Sequence, residues 1–226
     1  MTRSACADRP FASRGACATV DYLVDLIQLA RKHDFLLIVD ECYAEIYNAA
    51  PPSGVLQACA RLGGSLDNVL ALHSLSKRSS AAGLRSGFAV SSPQITARLW
   101  NLRSYSCAAS PYAALEAATA LWNDDAHVAP IRRSYQEKFA LAGRVLGAKH
   151  CYYTPQGGFF LWLDVGDGEA ATRKLWAEAA IKVLPGAYLT RPDRDGRNSG
   201  VPYIRVALVH DLETTETALT RLARIL

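Results

Sequence analysis

The sequence predicts an α/β fold, with a mainly parallel sheet flanked by helices and a smaller α+β part after it. Two observations support this. Apolar runs of strand length alternate with segments of helical periodicity in the first half of the chain. Beyond Lys149 the pattern changes to short strands between helices. With 226 residues, the chain is long enough for one large domain or two small ones.

The first predicted helix runs from Val20 to His33, where apolar residues recur at helical spacing. The unbroken apolar run at 35–39 then predicts a strand buried on both faces, as in a parallel sheet. This strand ends in Asp40 and Glu41. Since ligands of such sheets bind at the carboxyl ends of strands, this edge is the expected site. A helix at 54–61 and strands at 68–73 and 87–90 continue the alternation.

The second half is predicted to begin with a long helical stretch and to continue as a mixture of strands and helices. A boundary between two domains is expected inside the third helix of that stretch. The segment 191–202, rich in Arg, Asp, Gly and Pro, is expected to form a loop. The predicted helices lie at 94–106, 112–121, 126–147, 169–180 and 212–226, and the predicted strands at 151–154, 159–163 and 203–207.

Composition limits the possible partners. The formal net charge is +4 and the basic residues are dispersed, which argues against a nucleic-acid or anionic-membrane surface. No run approaches the ~20 apolar residues that a membrane-spanning helix needs. The six cysteines form no CxxC pair and no zinc spacing, so we expect reduced thiols in a cytoplasmic protein and no metal site.

Lys77 is the residue around which the chemistry is predicted. It follows the strand at 68–73, and Ser74, Ser76 and Arg85 lie near it in the sequence. Hydroxyl groups and a guanidinium beside a lysine suit a phosphate group. A lysine next to a bound phosphate can also act as a nucleophile toward an aldehyde.

Asp40 is the second predicted element of the site. A carboxylate at the end of an apolar strand is costly to bury without a partner. It could cap the next turn, or it could pair with the protonated nitrogen of a pyridine ring. Tyr43 follows three residues later, so a single turn would bring its hydroxyl near the same ligand.

These residues resemble the class I/II aminotransferases of fold type I. The matching motifs are Asp-x-x-Tyr from Asp40, Ser-x-Ser-Lys ending at Lys77, and an arginine eight residues later at Arg85. Pro-Gln-Gly-Gly-Phe at 155–159 and Tyr-Ile-Arg-Val-Ala at 203–207 follow in the family's order. One such motif would be weak evidence, whereas five in the right order are specific.

The resemblance implies pyridoxal 5'-phosphate as the cofactor. Lys77 would hold it as a Schiff base and would then move the proton between the substrate Cα and the cofactor. Asp40 would pair with the ring nitrogen, and Tyr43 would hydrogen-bond the ring 3-oxygen. The phosphate would be held by Ser74, Ser76 and Arg85.

The resemblance also implies how a substrate would bind. Arg205, which alone could be a surface arginine, would bind the α-carboxylate of an amino acid through paired hydrogen bonds, and Gly157 would let the chain pass close to that substrate. The partners would be an amino acid and a 2-oxo acid, and the full-length family forms homodimers. The segments 183–189 and 203–209 look most like bacterial succinyldiaminopimelate aminotransferases, which use glutamate in lysine and diaminopimelate synthesis.

The resemblance covers residues 19–226 and predicts three parts. Residues 1–18 would be a non-matching segment, 19–125 a partial large cofactor-binding domain, and 126–226 a small C-terminal domain. The family's N-terminal phosphate loop and the aromatic residue that stacks on the cofactor have no counterpart here. We therefore expect an N-terminally truncated chain with exposed apolar edges, weak cofactor binding and little turnover.

Two other interpretations stay open. The chain could be a C–S lyase of the cystathionine β-lyase type on the same fold, or a non-catalytic fragment of an aminotransferase. Arg205 and the C-terminal motifs favour amino transfer. His73 is expected to be a polar residue at a strand end, and Trp100, Trp122, Trp162 and Trp176 are expected to pack in the core.

Overall fold

The chain forms two compact units in the computed structural model. Their boundary falls between Arg132 and Arg133, inside a long helix. Much of the segment 1–18, predicted as non-matching, lies outside the described residues. The structure describes residues 4–6 (backbone only), 15–107, 109–147 and 149–226.

The first unit contains a four-stranded sheet. Its strands are Ser4–Cys6 (β1), Leu36–Asp40 (β2), Val69–Ser74 (β3) and Gly87–Ser91 (β4). They lie side by side in chain order; β2 is parallel to β1 and β3, and β4 is antiparallel to β3. The predicted mainly parallel sheet is thus confirmed. Strand β1 was not predicted, because its three residues lie in a stretch without strand periodicity.

Two helices cover one face of this sheet. Helix α1 (Val20–Lys32) begins where the Thr19 hydroxyl accepts a hydrogen bond from the Tyr22 amide (3.2 Å), and two basic residues in its last turn complement the helix dipole. Helix α2 (Val55–Arg61) follows β2. Together they bury an apolar core against the sheet, built from Ala18, Leu23, Ile27, Ala30, Leu37, Val39, Val55, Ala58, Cys59, Val69 and Ala71.

Strand β2 is not buried on both faces, so that prediction was wrong. Leu37 and Val39 are buried, whereas Leu36 and Ile38 on the opposite face are only half-buried. The reason is that α1 and α2 contribute their apolar side chains to the cluster that holds Leu37 and Val39. An apolar run alone does not reveal which face the helices cover.

The remaining helices of the first unit follow β3 and β4. Helix α3 (Leu75–Arg78) has four residues and starts directly at the end of β3. Helix α4 (Pro93–Ser106) has no buried side chain, and α5 (Tyr112–Asn123) buries Ala118. Helix α6 (Val128–Leu146) contains the boundary between the units.

The second unit contains a three-stranded antiparallel sheet in the order β5-β7-β6, where β5 is Phe160–Asp164, β6 is Leu184–Pro185 and β7 is Tyr203–Ala207. Helices α7 (Gly168–Ala179) and α8 (Leu212–Ile225) complete it. The core of this unit consists of Phe139, Ala142, Leu146, Leu161, Leu163, Ala171, Leu175, Val183, Ile204, Val206, Leu208, Leu219 and Leu222.

The strand predicted at 151–154 does not form. Residues Lys149–Cys151 make a 3₁₀ turn instead, and His150 and Cys151 have φ angles of +54° and +51°. Such left-handed backbone is incompatible with an extended strand. The segment 191–202 contains neither helix nor strand, as expected for a loop.

In the described part of the chain, no helix is both long and apolar enough to cross a bilayer. Among the cysteines whose side chains are described, Cys42, Cys59, Cys107 and Cys151 form no disulfide.

Candidate active site

Two predicted site residues lie at one edge of the first sheet because β2 and β3 run in parallel. Asp40, the last residue of β2, is in register with Leu72 of β3, and Ser74 ends β3 two residues later. The carboxyl ends of both strands therefore meet at the same edge, as predicted. The Asp40 side chain is exposed rather than buried, because successive strand residues point to opposite faces of the sheet, and Asp40 shares with Leu36 and Ile38 the face that α1 and α2 do not cover.

A turn after β2 brings Tyr43 to this edge. The Cys42 amide donates to the Asp40 carboxylate (2.9 Å), and the Ala44 and Ile46 amides donate to the Glu41 and Tyr43 carbonyls (2.9 and 3.0 Å). An aspartate that accepts a hydrogen bond from the amide two residues later is a common turn former. Asp40 thus caps the turn, as one of its two predicted interpretations requires, and still exposes carboxylate to solvent.

Lys77 approaches the same turn from α3. Its ammonium lies over the Tyr43 ring, 5.8 Å from the ring centroid. This is the range in which a cation is attracted by the face of an aromatic ring. The predicted pairing of Lys77 with Tyr43 in one site is therefore compatible with the geometry.

The start of α3 is held by serine hydroxyls. The Ser74 hydroxyl accepts a hydrogen bond from the Ser76 amide (3.1 Å) and lies 2.8 Å from the Ser76 hydroxyl. It also donates to the Ser86 carbonyl (3.3 Å), which ties α3 to the start of β4. Both hydroxyls predicted to bind phosphate are therefore adjacent, directly before Lys77.

Arg85 lies next to Ser86 in a left-handed backbone conformation (φ +50°). Its guanidinium is exposed and donates to the Ala82 carbonyl (3.0 Å). Among the described residues, the Arg85 guanidinium thus donates to the Ala82 carbonyl and not to the hydroxyl of Ser74 or Ser76. The structure thus puts Arg85 one residue from the serine contacts, with most of its donors open to a ligand.

Cys42 is a residue of this site that the sequence analysis did not identify. Burial, then a hydrogen bond with Asp40 and the charge of that carboxylate, raise the pKa of the Cys42 thiol from 9.0 to about 12. A hydrogen bond with Ser74 and the charge of Lys77 act in the opposite direction. Both the Asp40 carboxylate and the Lys77 ammonium therefore affect the pKa of the Cys42 thiol. In the sequence, the position of Cys42 between Asp40 and Tyr43 could have identified it as a site residue.

Glu41 and His73 link the ends of β2 and β3 to each other and to the start of α2. The buried Glu41 carboxylate accepts a hydrogen bond from the Val55 amide at the start of α2 (2.7 Å) and lies 3.2 Å from the His73 imidazole. The His73 ring also stacks on Phe88 of β4 at a centroid distance of 4.9 Å. His73 is therefore a polar residue satisfied at a strand end, as predicted.

Arg205 and Gly157 belong to the second unit. The Arg205 guanidinium lies over the Phe160 ring (4.3 Å to the centroid), and Arg205 is the cross-strand neighbour of Trp162. Cross-strand neighbours share a sheet face. The core contains the residues on either side of Arg205 in the strand, Ile204 and Val206, so Arg205 lies on the opposite face of the sheet. The Gly157 amide donates to the Gly15 carbonyl (3.1 Å), and the left-handed glycine of this motif is Gly158 (φ +82°).

The arrangement in the first unit can act on an aldehyde that carries a phosphate and a basic ring nitrogen. It offers an amine nucleophile, an exposed carboxylate, two adjacent hydroxyls and a guanidinium with unused donors. A phenol lies beside the amine. These groups fit the three polar parts of pyridoxal 5'-phosphate.

Comparison with known proteins agrees with this geometry. The family model "Aminotransferase class I and II" matches residues 6–222. The chain is 34% identical over 219 residues to the 4-dedimethylamino-4-oxo-anhydrotetracycline transaminase OxyQ of Streptomyces rimosus, with 94% of this chain and 57% of that protein covered.

Solved structures give the same result. An aminotransferase from Neisseria meningitidis superposes with a TM-score of 0.88 at 37% identity, over 98% of this chain and 56% of the other. A probable N-succinyldiaminopimelate aminotransferase from Thermus thermophilus superposes with a TM-score of 0.82 at 26% identity, over 99% of this chain and 59% of the other. The chain thus spans somewhat more than half the length of the proteins it matches.

Proposed function

Because the chain belongs to the class I and II aminotransferase family, which depends on pyridoxal 5'-phosphate, we propose that it transfers an amino group from an amino acid to a 2-oxo acid. The observation that carries this proposal is geometric: Asp40 ends β2 beside β3, and Lys77, in the helix after β3, lies over the ring of Tyr43 in the turn after β2. An amine and a carboxylate at one strand edge are what the two ends of the pyridine ring require.

The residues of the first unit would hold the cofactor. Lys77 would bind the aldehyde end of the cofactor, and its amine would accept the proton from the substrate Cα. Asp40 would pair with the protonated ring nitrogen, and Tyr43 would donate a hydrogen bond to the ring oxygen. When bound, pyridoxal 5'-phosphate supplies a sink for the electrons left at the substrate Cα. The phosphate group is assigned to Ser74, Ser76 and Arg85.

The second unit would hold the substrate. Arg205 presents a planar guanidinium, which suits a carboxylate through two parallel hydrogen bonds. Its contact with the Phe160 ring restricts the orientation of the guanidinium. Gly157 is assigned a close backbone approach to the substrate. Cofactor attachment is accordingly assigned to residues 19–125 and carboxylate recognition to 126–226.

We assign the substrate to the succinyldiaminopimelate and glutamate type, within lysine and diaminopimelate synthesis. The C-terminal motifs at 183–189 and 203–209 support this, as does the similarity to the Thermus protein. The Streptomyces relative is named for a polycyclic ketone, so a ketone acceptor is the alternative to test. A cytoplasmic homodimer is part of the proposal on the strength of the family resemblance.

The decisive experiment is to locate the cofactor on the chain. The Lys77 amine adds to the aldehyde with loss of water, and borohydride reduces the resulting carbon–nitrogen double bond to a stable amine. We expect peptide mass spectrometry to find the label on Lys77, and to find it lost in Lys77→Ala. Labelling spread over exposed lysines at equal levels would overturn the proposal.

The cofactor-loaded chain before borohydride reduction separates the competing reactions. Added glutamate should release the cofactor from Lys77 and yield 2-oxoglutarate, one molecule per site, if the chain transfers amino groups. Release of ammonia or a thiol from a sulfur amino acid would indicate a C–S lyase. Cofactor attachment without either product would indicate a non-catalytic chain. Attachment at Lys77 is the primary readout, because it does not depend on turnover.

A further inference from the structure

Helix α3, which carries Lys77, cannot fix its own position. It has four residues, and its helical hydrogen bonding amounts to about one turn, with the Ser79 amide donating to the Leu75 carbonyl (3.0 Å). A first helical turn is unfavourable by itself, because it orders several residues for a single hydrogen bond. Contacts with other elements must therefore decide where the Lys77 side chain points.

Arg78 supplies such a contact. It is 9% exposed, although it carries a charge, and its guanidinium donates to the Leu121 carbonyl (2.8 Å) and to the Asp125 carboxylate. The guanidinium carbon also lies 5.4 Å from the centre of the Trp122 ring. A buried guanidinium with three such partners is oriented by all of them.

Ser79 makes a second tie to the same region. Its hydroxyl lies 2.8 Å from the His127 Nε2, and the other ring nitrogen of His127 lies 3.2 Å from the Asp124 carboxylate. Residues 121–127, at the end of α5 and in the following turn, thus contact two successive residues after Lys77. We call these residues the α5 anchor.

The anchor also reaches the other end of α3. The Trp122 indole N–H donates to the Ser86 hydroxyl (3.3 Å). The Ser86 carbonyl in turn accepts hydrogen bonds from the Leu75 amide (3.1 Å) and the Ser74 hydroxyl (3.3 Å). The short helix is therefore held on both sides of Lys77.

We propose that Arg78 is a positioning residue for Lys77, and that its bonds to the α5 anchor set the direction from which the amine meets its partner. This rests on the proposed function only for the identity of that partner. Arg78 lies at the end of α3 opposite the Ser74 cap, so it opposes fraying of the turn that carries Lys77. Its loss frees the helix end and leaves the amine mobile.

The test combines a readout that needs no cofactor with one that does. In Arg78→Met, we expect amide hydrogen exchange in the peptide 75–81 to rise by about tenfold or more, while exchange in the β2 peptide 36–40 stays unchanged. We expect the rate of borohydride-trapped labelling at Lys77 to fall by about 10- to 100-fold, because small misplacement of a reacting group has effects of this size. Arg98→Met, on the exposed side of α4, is the matched control and should change neither readout.

A milder variant keeps the test valid if Arg78→Met does not fold. Asp125→Asn removes the charge from a carboxylate that is 90% exposed, so the fold should tolerate the substitution. We expect amide exchange in 75–81 to rise, and labelling at Lys77 to slow, by about threefold to tenfold. Unchanged exchange and wild-type labelling in both variants would overturn the proposal. If the wild-type chain takes no cofactor at Lys77, the proposed function fails, and the exchange of 75–81 alone decides whether Arg78 holds the helix.

Discussion

The Lys77 ammonium lies over the ring of Tyr43 at 5.8 Å, although 34 positions separate the two residues in the chain. Parallel pairing of β2 with β3 produces this contact, because each strand ends at the same edge and each is followed by a turn that folds toward the other. The contact places the nucleophilic amine of Lys77 beside the phenol ring of Tyr43. The position of the amine therefore depends on Tyr43.

Tyr43 is expected to contribute through its ring and through its hydroxyl separately. Tyr43→Phe keeps the ring under Lys77 and removes one hydrogen bond, so cofactor affinity should fall by about fivefold to tenfold. Tyr43→Leu removes both contributions and should bind several times more weakly again. Equilibrium dialysis with pyridoxal 5'-phosphate measures both values. Equal affinity of the leucine variant and the wild type would contradict this role.

Cys42 should remain a thiol at a pH where ordinary cysteines ionise. Its pKa of about 12 predicts a labelling rate with iodoacetamide at pH 9 that is roughly 100-fold or more below that of the unfolded chain. The rate should still rise tenfold per pH unit between pH 8 and pH 10. The raised pKa also lowers the free energy of unfolding from pH 9 upward, because the unfolded thiol loses its proton first.

The control for this prediction is Asp40→Asn. Since Asp40 raises the pKa of Cys42 through a hydrogen bond and through its charge, the variant should label faster at pH 9 than the wild type. Labelling of Cys107, which is exposed, reports reagent access in the same sample. A levelling of the Cys42 rate near pH 9 in the folded wild type would show that its pKa is not raised.

Arg205 should be sensitive even to a substitution that keeps its charge. Arg205→Lys retains the cation but loses the paired donors, which are worth about 1.5–3 kcal/mol toward a carboxylate. The glutamate concentration for half-maximal release of bound cofactor should therefore rise roughly 10- to 150-fold. Arg173→Lys, at an exposed ion pair with Glu169, is the matched control. A wild-type concentration dependence in Arg205→Lys would remove Arg205 from carboxylate binding.

The positions of helices and strands could be predicted from the sequence where the apolar residues recur at a regular spacing. The spacing of Leu23 and Ile27 predicted α1 correctly, and the apolar runs located β2 and β3 to within one residue. Since parallel strands align their carboxyl ends, the strand assignments also predicted that Asp40 and Ser74 lie at the same edge of the sheet. Strand order therefore predicted the edge at which these residues lie, whereas their roles in a site stay predictions.

Tertiary contacts account for what could not be predicted. The exposure of Asp40 depends on which face of β2 the helices α1 and α2 cover, and the apolar run of β2 does not reveal that face. The β-prone residues at 151–154 are overridden by the turn at Lys149–Cys151. The partners of Arg78 lie more than forty positions away, at Leu121 and Asp125, so no local pattern reveals them.

The N-cap of α7 should make a measurable contribution to the stability of the second unit. The Asp167 carboxylate accepts hydrogen bonds from the Glu169 and Ala170 amides, both at 3.0 Å. Asp167→Ala should lower the free energy of unfolding by about 1 kcal/mol, whereas Asp167→Asn should retain most of it. Urea denaturation followed by circular dichroism measures the difference. Equal loss in both variants would mean that the charge, rather than the cap, is responsible.

Helix α4 should drive self-association of the chain. Its tryptophan, Trp100, was predicted to pack in the core but is 71% exposed, and Leu102 and Tyr105 are 63% and 95% exposed. Exposed apolar side chains grouped on one helix favour association, since burying each one gains about 1.5–3 kcal/mol at most. In sedimentation velocity, the apparent dissociation constant should rise by about tenfold or more when Leu102→Glu and Tyr105→Glu are combined. Trp176 of α7 was also wrongly predicted to pack in the core, since it is 61% exposed, and Trp176→Glu serves as the control that should leave association unchanged. If the double variant and the wild type sediment alike at every concentration, α4 does not form the contact.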